Sequence, residues 1–282
     1  MIVEKETESR VEAYYSSAMN AKTTGSGDET VVLAHGFGGD QSLWEKIVPE
    51  LANHFKVVVF DWSFAGTAVK DDGSSLFDPV KHSSYEGFAN DLIGLVEELN
   101  LKSVVFVGHS MSGMIGCIAS IKRPHLFNAL LLIGASPRYI NTEDYEGGFE
   151  KSDIEDIISN IESNYYNWAT HFVSLVVDAS DPPSADKFAK CLSRMNPDVA
   201  LQLAKTVFYS DERDILEKVE IPCTIIQTGS DIVVPNSVGF YMQKKMIKAP
   251  STVEIISSAN GHFPHLTAHR ELLDILRVVL GF

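Results

Sequence analysis

The sequence predicts an α/β protein, a mostly parallel sheet flanked by helices on both faces. Three observations carry this. Apolar runs of strand length alternate with amphipathic runs of helical spacing. The strands lead into small-residue loops such as His35-Gly36-Phe37-Gly38-Gly39 and Gly108-His109-Ser110, followed by helical runs, so consecutive strands join through crossovers. The chain has 282 residues, 45% hydrophobic and 22% charged, which suits one large domain with an insertion.

Charge and cysteine content exclude several function classes. A net charge of −15 disfavours nucleic acid and anionic membrane surfaces as partners. No apolar run reaches the length of a membrane span, and the start Met1-Ile2-Val3-Glu4-Lys5-Glu6-Thr7-Glu8 is too acidic for a signal or transit peptide. Cys117, Cys191 and Cys223 are odd in number and widely spaced, which reads as small buried side chains in a reducing compartment. The expectation is an intracellular, soluble protein with no metal and no cofactor.

Residues 1–19 form a charged N-terminal extension. The turn-rich stretch Asn20–Asp28 leads into a buried strand over Thr30–Ala34, which ends in His35-Gly36-Phe37-Gly38-Gly39-Asp40. Asp40 reads as the N-cap of a helix through Leu43, Trp44, Ile47 and Leu51. A strand over Lys56–Phe60 runs into the loop Asp61-Trp62-Ser63-Phe64-Ala65-Gly66. Ser83 and Glu86 read as a capping box opening a helix that runs to Glu98. The strand from Val104 and the helical run Met111-Ile115-Ile118-Ala119 flank Ser110, and Leu130–Ile133 forms the next strand. From residue 137 to 210 no strand is evident; helical runs over Ile154–Ile161, Trp168–Val177, Phe188–Met195 and Val199–Phe208 are separated by Asp181-Pro182-Pro183 and Asn196-Pro197. This is a helical insertion, a lid of four helices after the sixth strand, splitting a core of residues 20–136 and 211–282. Strands over Cys223–Gln227 and Val253–Ile256 and a last helix through Leu272, Leu273, Leu276 and Val279 close the chain.

The chemistry resides in three loops. A serine on a tight strand-to-helix turn is the nucleophile elbow of α/β-hydrolases; here Ser112 stands where the pattern G-x-S-x-G has its second glycine. Ser110 is the nucleophile of this reading. A serine hydroxyl needs a base, and His262, in the loop after the Val253–Ile256 strand, supplies one. Asp231, after the Cys223–Gln227 strand, holds the imidazole tautomer. The order Ser, Asp, His and the position of each residue after a strand match that fold. The backbone N–H groups of Phe37 and Met111 are the expected oxyanion donors, and His35 reads as a structural hydrogen-bonder. Asp61 follows a strand too early in the chain to be the triad acid.

A narrower likeness rests on His35-Gly36-Phe37-Gly38-Gly39-Asp40-Gln41-Ser42, Gly108-His109-Ser110-Met111-Ser112, Ser136-Pro137-Arg138-Tyr139, Asp144-Tyr145-Glu146-Gly147-Gly148-Phe149 and Gly261-His262. With these pieces the chain resembles the plant karrikin and strigolactone receptor hydrolases, and more distantly the bacterial RsbQ-type regulators. The resemblance implies a V-shaped four-helix lid over an apolar pocket, with Phe37, Tyr139, Phe149, Trp168, Phe172, Phe208 and Val233 as pocket positions. It also implies slow hydrolysis of a butenolide-type ligand, ligand-dependent binding of an F-box protein and a repressor target, and residence in cytoplasm and nucleus. Two features depart from the family pattern: the N-terminal extension, and the Asp61–Gly66 loop, whose bulky Trp62 and Phe64 raise the expectation of a narrowed pocket mouth. The alternatives are a general carboxylesterase without a signalling role and a partner-binding regulator with vestigial catalysis.

Overall fold

The computed structural model describes residues 14–70 and 73–282. Most of the N-terminal extension lies outside the described residues. Its end forms α1 (Tyr14–Ala18), whose first free N–H groups, of Tyr15 and Ser16, donate to the Glu98 carboxylate at 2.7 and 2.8 Å.

Seven strands form one sheet: β1 (Lys22–Thr24), β2 (Thr30–Ala34), β3 (Lys56–Val59), β4 (Val104–His109), β5 (Phe127–Ile133), β6 (Cys223–Ser230) and β7 (Ser251–Asn260), in the order β1-β3-β2-β4-β5-β6-β7. Only β1 is antiparallel, paired with β3; every other neighbouring pair is parallel. The sequence reading missed β1 because three exposed residues, Lys-Thr-Thr, in a turn-rich stretch carry no apolar pattern. The central strands β2 and β4 are buried along their whole length, as a sheet covered on both faces requires. Val31 and Leu33 face one apolar layer with Trp44, Ile47, Leu272 and Leu276; Val32 and Ala34 face the other with Phe88, Leu92 and Met114.

The helices that make those layers are α2 (Val48–Leu51), α3 (Tyr85–Glu98), α4 (Met111–Lys122) and, at the end of the chain, α8 (Asn236–Lys245), α9 (Pro264–Thr267) and α10 (His269–Leu280). Two local expectations change. The helix expected through Leu43–Leu51 is a 3₁₀ turn over Gln41–Trp44 capped by Asp40, then the short α2, because Pro49 interrupts the hydrogen-bond ladder. The capping box at Ser83 and Glu86 does not form: Ser84 is the N-cap of α3, the Ser83 hydroxyl donates to the Val80 carbonyl, and Glu86 pairs with Lys122.

Between β5 and β6 lie α5 (Lys151–Val176), α6 (Pro182–Arg194) and α7 (Pro197–Phe208). Five strands precede this insertion among the described residues, where the sequence count had six. The backbone of α5 leaves helical geometry at Asn164 (φ −158°, ψ 78°), so the insertion contains four helical segments. The proline-marked turns become N-termini: Asp181 accepts from the Ser184 N–H, and Asn196 from those of Asp198 and Val199. The three cysteines are buried free thiols.

Candidate active site

Ser110 sits between β4 and α4 with φ 56° and ψ −125°, a strained conformation for a residue with a Cβ. The turn is fixed from both sides. The Ser110 N–H donates to the Ile133 carbonyl at 2.8 Å, and a Cβ at Gly108 would stand 2.7 Å from the Gly113 nitrogen and from the Ser112 backbone. Helix α4 can therefore start directly against β4, and the Ser110 side chain is pushed off the end of the sheet.

The loops after β6 and β7 bring the other two residues to it. His262 Nε2 lies 2.9 Å from Ser110 Oγ, and His262 Nδ1 lies 2.6 Å from Asp231 Oδ2. With the proton on Nδ1 the imidazole donates to Asp231 and its Nε2 accepts from the Ser110 hydroxyl. Asp231 is itself oriented by the Val233 N–H, 2.8 Å from Oδ1. The His262 backbone is pinned on both sides, its N–H to the Val176 carbonyl at 2.7 Å and its carbonyl to His109 Nε2 at 2.8 Å. Beneath the ring lies Gly134 (φ 54°), where a Cβ would come within 3.1 Å of the imidazole. Asp61 stands apart: its carboxylate accepts from Asn20, Gln41 and Thr67 and ties loops together.

The backbone N–H groups of Phe37 and Met111 have no acceptor among the described residues. The loop that carries Phe37 lies directly on the elbow, since a Cβ at Gly36 would be 2.9 Å from Ser110 Cβ. His35 is fully buried; its Nε2 accepts from the Trp62 N–H at 3.1 Å and its Nδ1 donates to the Gly36 carbonyl at 3.0 Å. Burial holds the His35 imidazole below its ordinary range, so it is neutral and its tautomer is fixed by these two bonds.

Above Ser110 is a cavity lined by Phe37, Tyr139, Phe172, Val207, Phe208, Val233 and Phe263, with His109 and His262 at its floor. Its free volume is about 20 Å³, room for about one water molecule. Two residues expected in the pocket stand one layer back. Trp168 stacks on Phe172 at 4.9 Å and meets Phe37 edge-on at 6.1 Å; Phe149 meets Phe208 edge-on at 6.0 Å. Val207 and Phe263 line the cavity although the sequence reading passed over them; each is the chain neighbour of a residue it had chosen. Trp62 and Phe64 line no part of it. They are buried in the core, Trp62 against Phe60 and Phe88 and Phe64 edge-on to His35, so the expected narrowing of the mouth does not come from them.

Two further histidines lie under the site. His109 and His265 are buried with ring centres 4.5 Å apart, and His265 stacks on Trp44 at 4.5 Å. Burial, with the neighbouring histidines, holds His109 well below its ordinary range and His265 down to about 3. Below pH 6.5 the unfolded chain takes up protons that the folded one refuses, so this contribution is complete above pH 6.5 and is lost as pH falls, for His265 down to about 3. Each such group costs up to about 1.4 kcal/mol per pH unit in that window. The melting temperature is expected to fall between pH 6.5 and 4.5, and less steeply in His265→Phe, which keeps a ring on Trp44. Parallel melting curves across that range check it; equal slopes would remove His265 from the account.

The comparisons agree with this architecture. The model of the alpha/beta hydrolase fold family matches residues 29–268. A karrikin insensitive 2 receptor CA of Petunia hybrida is 43% identical over 92% of this chain and 94% of its own. The strigolactone esterase D14 of Arabidopsis thaliana is 41% identical over 93% and 96%. Among solved structures, a hydrolase from Oleispira antarctica superposes with a TM-score of 0.85 at 35% identity, covering 93% of this chain and 95% of that one.

Proposed function

We infer the function of this chain from its kinship and its site together: it belongs to the α/β-hydrolase family, among relatives that include karrikin insensitive 2 receptors and strigolactone esterases. It is a serine hydrolase, and we read it as a receptor that slowly hydrolyses a small butenolide-type ligand. The observation that carries the reading is the Ser110–His262–Asp231 hydrogen-bonded series at the floor of an apolar cavity roofed by the inserted helices.

In this reading Ser110 Oγ attacks the carbonyl carbon of the ligand's ester or lactone while His262 Nε2 takes the hydroxyl proton. The carbonyl oxygen becomes an alkoxide and receives the N–H groups of Phe37 and Met111, at the N-terminus of α4. Collapse of the tetrahedral intermediate breaks the bond to the leaving oxygen, which takes its proton from His262. Water, deprotonated by His262, then attacks the acyl-serine and restores the hydroxyl. Asp231 stabilises the imidazolium in both halves. Tyr139 lines the cavity beside these groups, and burial holds its phenol up at about 12, so it stays protonated, its hydroxyl unpaired among the described residues.

A butenolide does not fit the free volume above Ser110. Binding therefore requires the wall of Phe172, Val207 and Phe208 to shift, and two of those three lie at the end of α7, close to where the insertion rejoins the core. A ligand that binds only the shifted arrangement changes the surface of the insertion, and that change is what a partner reads. The F-box protein and repressor target implied by the resemblance are such partners, and cytoplasm and nucleus are where they would be met. No helix among the described residues is long and apolar enough to cross a membrane. The test is a screen of synthetic butenolides and aryl esters, following hydrolysis and melting temperature in parallel. The receptor reading expects slow turnover, a ligand-induced melting shift, and ligand-dependent retention of an F-box protein. Rapid turnover of simple aryl esters without a melting shift or retention would assign a general carboxylesterase instead.

A further inference from the structure

Trp62 occupies the loop after β3, where its indole does more than fill the core. Its Nε1–H points between two acceptors, the His35 carbonyl at 3.0 Å and Ser112 Oγ at 2.9 Å. Ser112 Oγ in turn donates to the same His35 carbonyl at 2.5 Å. The three groups close a triangle that is wholly buried, with Trp62, His35 and Ser112 each 0% exposed. Two of its corners belong to the two segments that carry the expected oxyanion donors. His35 stands two residues before Phe37, and Ser112 directly follows Met111. The Trp62 backbone N–H adds a fourth bond by holding His35 Nε2, which leaves the Nδ1 proton for the Gly36 carbonyl. That carbonyl shares a planar trans peptide with the Phe37 N–H, so fixing the one aims the other in the opposite direction.

From this geometry we propose that Trp62 is a positioning residue for the oxyanion site, its indole N–H clamping the β2 loop to the first turn of α4 so that the Phe37 and Met111 N–H groups keep one spacing. The proposal rests on the hydrolase reading above. It also accounts for Ser112 at the place of a glycine: its hydroxyl is the second half of the clamp. Oxyanion donors act on charge that appears in the transition state, so a loosened pair slows the chemical step and leaves ground-state binding nearly unchanged.

The test compares wild type, Trp62→Phe and Ser112→Ala with p-nitrophenyl acetate, each rate divided by the concentration of sites titrated with a fluorophosphonate. Removing a whole oxyanion donor costs on the order of 10²–10³ in kcat, and displacing a pair costs less, so Trp62→Phe is expected to lower kcat per titrated site about tenfold with KM within about twofold. Phenylboronic acid, whose tetrahedral serine adduct places an oxygen in the same site, should weaken in parallel. The double variant should be no slower than Ser112→Ala alone, because that change already removes both bonds from α4 to the clamp, whereas Trp62→Phe leaves the Ser112 hydroxyl on the His35 carbonyl. A purely structural role would lower melting temperature and the titrated fraction while leaving kcat per titrated site and boronate affinity unchanged, and that result overturns the clamp. If Trp62→Phe does not fold, Ser112→Ala deletes the link without loss of ring volume and decides alone. A wild-type protein that titrates and turns over separates failure of the clamp from failure of the hydrolase reading; a wild type that does neither overturns both.

Discussion

Ser110→Ala is expected to lower ester hydrolysis by on the order of 10⁴–10⁶-fold in kcat, the range seen when a nucleophile acting in concert with its base is removed. The change deletes one oxygen. It leaves the elbow backbone, the Ser110 N–H bond to Ile133 and the close contact of Gly108 with α4 in place, since none of these involves the hydroxyl. The hydroxyl's partner in the relay is His262 Nε2, and losing that one bond should move the melting temperature by no more than a few degrees. Alanine keeps the same strained φ and gains nothing from relaxation. Ligand binding measured by melting shift should survive. Stopped-flow hydrolysis with intact-mass detection of an acyl adduct in wild type but not in the variant checks the assignment. Turnover persisting near the wild-type rate would remove Ser110 from the mechanism.

Asp231→Asn carries the second large effect. Asp231 Oδ2 receives the His262 Nδ1 proton at 2.6 Å, and both side chains are almost fully enclosed. An asparagine keeps the volume and can still accept the Val233 N–H through its oxygen. It then presents its NH₂ to Nδ1. The imidazole moves its proton to Nε2, which faces Ser110 and can no longer accept. The loss is on the order of 10⁴ in kcat for a triad aspartate turned to asparagine. Asp61→Asn is the matched control, because Asp61 binds Asn20, Gln41 and Thr67 and none of the three residues of the relay. Activity should fall for position 231 and not for position 61. The reverse pattern would mean that the acid had been misassigned.

Much of this could be read in the chain because the signals are local. A buried parallel strand is a short apolar run, and a loop that must approach a neighbouring backbone shows its glycines, so β2, β4 and the loops after them stand out. The order of Ser110, Asp231 and His262 along the chain is equally visible. What could not be read depends on direction. Trp62 and Phe64 look the same in sequence whether they point toward the ligand or into the core, and here the core took both. Trp168 and Phe149 show the converse: helical and loop positions near a pocket do not say which layer a ring occupies. β1 was invisible because backbone pairing with β3, and no side-chain pattern, defines it. The break at Asn164 falls between the two helical runs that the sequence separates, Ile154–Ile161 and Trp168–Val177, although no proline or glycine marks it.

The scant space above Ser110 bears on timing as well as on fit. A cavity with room for about one water holds neither a ligand nor its product in the arrangement described, so its wall must part twice in each cycle, once to admit and once to release. The frequency of that parting sets a ceiling on turnover that no improvement in the relay can raise. A well-formed triad and a low kcat are then compatible. In the receptor reading, the interval between the two partings is the time for which an occupied state would be presented to a partner.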